Sequence, residues 1–136
     1  MKITLTASGG PPFVLGDDAG GWPIADGFRP RQTRSARSQP LFRGAYRSNL
    51  ASFNLVNLLV FVVERTFATR ELALNFMASH ADAVPASGTL TLYDLSPSGQ
   101  TKRSLAGAVV LEVECVEHVG VSCKFRYTVV GNGGWQ

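Results

Sequence analysis

Residues 53–93 read FNLVNLLVFVVERTFATRELALNFMASHADAVPASGTLTLY, and their reading decides the fold. Leu55 to Val63 is the most apolar run in the chain. Its β-branched and aromatic content, with alternation returning at Val63, Arg65 and Phe67, favours a strand covered on both faces for part of its length over a buried helix. Thr69 then stands where an N-cap belongs, with Glu71 in the turn where the helix dipole favours an anion. Leu72, Ala73, Phe76, Met77, His80 and Ala83 recur at helical spacing, and Pro85 ends the helix near Ala83. Gly88 to Leu95 reads as a second strand, closed by the turn Ser96-Pro97-Ser98-Gly99.

Outward from this centre the pattern stays mainly β. Lys2 to Ala7 alternates as a half-buried strand with Ile3, Leu5 and Ala7 on one face. Phe13 to Leu15 reads as a brief edge segment. Lys102 to Leu105 is short, and Gly107 permits a bulge. Val109 to Val116 and Val121 to Val129 alternate as a closing hairpin. A three-residue loop ending at Gly120 pairs Cys115 with Cys123, Glu114 with Lys124 and Glu112 with Arg126, bringing acids opposite bases. That register makes the cysteines cross-strand neighbours, reduced if the protein stays in the cytoplasm.

The fold class expected is mainly β (α+β), antiparallel, with one packed helix over about residues 69–83. The 136 residues form one domain, with a long loop or arm over about 16–40, an extended arginine-rich arm over 16–48 and a tail over 131–136. Residues 16–40 hold turn formers and charges without apolar periodicity, a length that compact domains reserve for functional or neighbour-ordered loops.

Charge singles out the same region. Between Asp26 and Glu64 there is no acid, while Arg29, Arg31, Arg34, Arg37, Arg43 and Arg47 all fall in that interval. The net charge is +3, so the remainder sums to −3. Charged residues make up only 17% of the chain, which fits either a surface partly covered by partners or a β domain with a Ser/Thr/Asn surface. In one reading the segment tucks Trp22, Ile24 and Phe28 onto its own sheet. In another it lies on an adjacent subunit, aromatics anchoring and arginines forking onto carboxylates. Interleaved Arg and aromatic residues admit nucleic-acid contact as a third.

Catalytic patterns are absent from the sequence: there is no GxSxG, phosphate loop, GxGxxG or HExxH. His80, at the end of the helix stripe, reads as a satisfied core histidine. His118 beside Glu117 is the residual candidate for hydrolysis, or for a metal with Glu112 and Glu114. No cofactor is expected, and Cys115 and Cys123 lack zinc spacing. No apolar run reaches membrane-spanning or signal-peptide length, so no membrane partner and a cytoplasmic site of synthesis are expected.

The order of elements, with RTFATRELALNFMASHADAVPASGTLTLY as its best local match, resembles the tail-tube fold of bacteriophage tail-tube, distal-tail and tail-completion proteins. The resemblance implies an antiparallel β-sandwich or barrel acting as a non-enzymatic structural subunit of the virion tail. It implies sheets joining laterally into rings, sixfold in the family, around a conduit through which DNA passes without sequence-specific binding. The partners it implies are further copies of the chain and other tail proteins. Trp22, Phe28, Arg29, Arg31, Arg34, Arg37, Arg43, Arg47 and Trp135 are the subunit-interface candidates. The alternative is a monomeric β-sandwich module binding carbohydrate or another ligand on a platform of Trp22, Phe28 and Tyr46.

Overall fold

The structure, a computed structural model, describes residues 1–40, 46–96, 99–132 and 134–136, with side chains for 1–25, 57–93, 102–131 and 134–136. Among the described residues the chain forms seven strands and one helix: β1 (Lys2–Thr6), β2 (Pro12–Asp17), β3 (Ile24–Pro40), β4 (Tyr46–Thr66), α1 (Arg70–Ala83), β5 (Ser87–Ser96), β6 (Gly99–Val119) and β7 (Ser122–Asn132). All strands join one antiparallel sheet in the order β2-β1-β5-β6-β7-β4-β3. The mainly β expectation holds, but neither two separate sheets nor a closed barrel forms. The sheet curls instead: the backbone at Gly16, on edge strand β2, lies close against Val63 of β4 and Ile24 of β3. A single bridge, Asp17 to Trp22, links β2 to the residues that lead into β3.

Curling brings apolar positions of distant strands into one core, in which Ile3, Leu5, Leu15, Leu59, Phe61, Leu90, Leu105 and Val129 are fully buried. On β4 the core-facing residues Leu59, Phe61 and Val63 are buried, while Leu58, Val60 and Val62 on the other face are half-buried, as the apolar run required. Strand β1 corrects the half-solvated expectation. Thr4 is buried as well as Ile3 and Leu5, because β1 is flanked by both β2 and β5, and Thr4 stands opposite Thr91 of β5.

The helix follows its sequence signals closely. Thr69 caps it, its hydroxyl accepting from the Leu72 amide at 3.3 Å, and Val84 closes it through a bond to the His80 carbonyl. Its buried stripe runs through Ala73, Phe76, Met77, His80 and Val84. Leu72 and Ala83, expected on that stripe, are exposed: about 80° and about 60° around the helix from His80, they flank its Phe76 edge on the solvent side. No described helix is long and apolar enough to cross a membrane.

Two corrections concern strands. Residues 24–40, read as irregular, form the 17-residue strand β3, antiparallel to β4 from Ile24↔Val63 to Pro40↔Tyr46. Backbone hydrogen bonds to an adjacent long apolar strand impose extension on a segment that has no apolar periodicity of its own. The closing hairpin turns through two residues, Gly120 and Val121, with Gly120 at φ +58. The register therefore runs Val119↔Ser122, His118↔Cys123, Glu117↔Lys124, and, after a bulge at Val116, Cys115↔Phe125 and Glu114↔Arg126. The cysteines are not cross-strand partners, and both are free. Acid still meets base, by a different pairing. The expected bulge at Gly107 is present, its φ at +65 where the β5–β6 register shifts. Lys102 to Leu105, read as a short strand, lies within the continuous 21-residue β6.

Candidate assembly surface

Because β3 and β4 outrun their neighbours, the centre of interest is a β-hairpin arm. Strand β7 pairs with β4 only as far as Val56↔Asn132. Beyond that point β4 continues to Tyr46 with β3 as its single described partner. Residues 34–40 of β3 stand against residues 46–55 of β4 across a register shift, so at the usual rise this two-stranded ribbon is roughly 20 Å long. Arg34 and Arg37 lie on its β3 strand and Arg47 on its β4 strand, while Arg29 and Arg31 pair with Val60 and Leu58 in the sheet proper. Phe28 also belongs to β3. Arg43 lies outside the described residues.

Trp22 sits at the opposite end of β3 and packs on its own chain. Its ring meets Phe76 edge-on at 5.4 Å, and the Arg65 guanidinium lies 3.9 Å over it. Arg65 thereby anchors the start of β3 to the aromatic layer under α1, a contact the sequence did not single out. Its alternation with Val63 and Phe67 was the available signal. Trp135 is half-buried against its own core, and Gln136 exchanges two backbone hydrogen bonds of 2.8 Å with Ser104 of β6. The tail thus starts later than expected, since Gly131 and Asn132 belong to β7, and its last residue is held to β6.

Next to the aromatic layer lies a strongly perturbed titrating group. His80 is buried among Phe76, Phe125 and Trp22, and its Nε2 is hydrogen-bonded to the Tyr127 hydroxyl. Burial, and secondarily the Arg65 charge, pushes its pKa from 6.5 down to about 4. Burial likewise raises Tyr127 well above its ordinary value and lifts the Cys123 thiol to about 11. A neutral imidazole fastened to a neutral phenol in an apolar layer ties helix to sheet, as expected of a satisfied core histidine.

The remaining chemical candidates are engaged elsewhere. His118 Nε2 is 2.9 Å from the Gly120 carbonyl, and Glu117 pairs with Lys124 at 3.3 Å. Glu112 and Glu114 both reach Arg126. Among the described residues no group of three or more His, Cys, Asp or Glu could hold a metal ion. Trp22 and Tyr46, placed at opposite ends of the β3–β4 hairpin, do not make one ligand platform.

A second surface faces outward on β6. Strand β5 accompanies β6 only to Ser87↔Val109, followed by a bond from the Val110 amide to the Ala86 carbonyl. From Leu111 to Val119 the side of β6 away from β7 has no strand partner among the described residues. Bulges at Leu111 and Val116 interrupt the ladder there, and Leu111 and Val119 are 63% and 65% exposed. Glu112, Glu114 and Glu117 are exposed on the same segment.

A mainly β chain with one packed helix, an open sheet and a projecting two-stranded arm is what the fold and surface define. The chain is similar in fold to one from the tail of an empty GTA particle computed with helical refinement in C6 symmetry, with a TM-score of 0.48 and 8% identity over 100% of this chain and 93% of the other. No protein-family model matches the sequence, and no curated protein does.

Proposed function

We propose that the protein is a non-enzymatic structural subunit of a phage-type tail or similar tube, built by lateral joining of copies into rings, sixfold in the reading the family resemblance implies, around a conduit for DNA. The observation that carries this reading is the β3–β4 arm. A two-stranded ribbon is at best marginally stable alone in water, so one extending roughly 20 Å past its last sheet neighbour gains its stability from another surface. Arg34, Arg37, Arg43 and Arg47 on the arm, with Phe28, Arg29 and Arg31 on the sheet portion of β3, are the contacts of this proposal. Trp22 and Trp135 contribute the surface their own chain leaves uncovered. Other tail proteins stack on the rings, and the assembled protein resides in the virion after synthesis in the host cytoplasm.

Light scattering after size exclusion, with negative-stain imaging, tests the proposal. Rings or tubes are expected as concentration rises. A particle that stays monomeric across the whole range overturns it.

A further inference from the structure

At the level of residues 111–119 the sheet is four strands wide, in the order β6-β7-β4-β3, so β6 and β3 are its two edges. The edges carry opposite charge. The β6 edge holds Glu112, Glu114 and Glu117 between exposed Leu111 and Val119. Strand β3 is level with this segment over residues 24–29, which hold Asp26 and Arg29. Its Arg31, Arg34 and Arg37 lie further along the same edge, with no acid from residue 27 to 63, so the basic stretch meets the acidic one in a copy displaced along the strands. Glu112 and Glu114 share the single Arg126 guanidinium, and Glu117 is the sole ion-pair partner of Lys124 among the described residues, so the β6 segment keeps one acid more than its β7 partners neutralise.

Resting on the assembly reading above, we infer that the Leu111–Val119 edge of β6 is the seat for the arginine-rich strand β3 of a second copy. The two edges are different surfaces on opposite sides of one sheet, so each contact leaves a free β3 and a free β6 for the next copy. Such a heterologous contact propagates head to tail and closes into a ring where the rotation permits. The bulges at Leu111 and Val116 confine any regular backbone ladder to the four residues Glu112–Cys115. Charge pairing and the exposed apolar side chains hold the rest of the seat. Like charge on Glu112, Glu114 and Glu117 opposes the pairing of two β6 edges with each other, leaving the oppositely charged strand as the fitting occupant.

A charge exchange tests the seat. One variant carries Glu112→Lys and Glu117→Lys, and the other Arg29→Glu, Arg31→Glu and Arg34→Glu. Each alone is expected to lose at least tenfold of its assembled fraction in sedimentation. Their equimolar mixture is expected to regain it, because each altered edge then meets a complementary one. A photo-crosslinking amino acid in place of exposed Leu111, in an otherwise unaltered chain, is expected to capture residues 24–40 of a second copy; this arm does not depend on the charge variants folding. Wild-type protein that assembles while both variants assemble equally well, or a Leu111 crosslink that maps elsewhere, overturns the seat but leaves the structural-subunit reading standing. Wild-type protein that never assembles overturns both. Retention of the wild type on duplex DNA, abolished by the arginine variant with assembly unaffected, assigns the arm to nucleic acid and overturns the seat.

Discussion

His80 shows how one side chain couples local chemistry to stability. Its folded-state pKa of about 4 lies below its ordinary 6.5, so the unfolded chain binds the proton more readily. Stability is therefore complete above pH 6.5 and falls as pH drops toward 4, by about 3 kcal/mol once both states are protonated. Urea unfolding followed between pH 7 and pH 4 is expected to show that loss, and His80→Leu is expected to flatten the slope. Its partner makes a separate point. Tyr127→Phe removes the hydroxyl and leaves a buried imidazole nitrogen unpaired, which costs about 1–3 kcal/mol. A chemical-denaturation midpoint unchanged in this variant would show the bond to be dispensable. That His80 is a buried, satisfied histidine was legible from its place on the helix stripe. Tyr127 as its partner was not, since 47 residues separate them and only the curled sheet brings them together.

Among the elements, α1 was the most legible and β3 the least. Capping, periodicity and a terminating proline are local signals, and they set the bounds of α1 to within a residue. Strand β3 has no such signal, because its extension comes from pairing with β4. The β6–β7 hairpin falls between: its strands and acid–base matching were readable, but a two-residue loop with two bulges was one of several registers that satisfy the same alternation. The β1–β5 pairing offers a sharp test, since a Cβ at Gly88 would collide with the Thr6 carbonyl and the Ala7 amide nitrogen. Gly88→Ala is expected to cost about 1–3 kcal/mol through overpacking, read as a lower midpoint of thermal unfolding. The arm behaves oppositely. Replacing residues 34–55 by a short turn removes no described core residue, so the truncated chain is expected to keep its cooperative unfolding transition by circular dichroism while losing assembly.

For the molecule as a whole, the separation of charge matters more than its sum. Six arginines in one stretch and a remainder of −3 make attraction between copies sensitive to ionic strength, because the Debye length falls from about 10 Å at 0.1 M salt to about 3 Å at 1 M. Assembly is expected to weaken across that range in sedimentation experiments. Salt-independent assembly would shift the weight to apolar contacts such as Leu111 and Val119. By itself the sequence determined the mainly β class, the helix with its caps, the apolar strand at the centre and the segregation of arginine, because each is written in neighbouring residues or in composition. Only the tertiary structure decided that the arginine-rich segment is a strand, that the sheet curls without closing, and that one edge is acidic and the other basic. Those properties arise from hydrogen bonds and contacts between residues tens of positions apart, whose pairing no local pattern specifies.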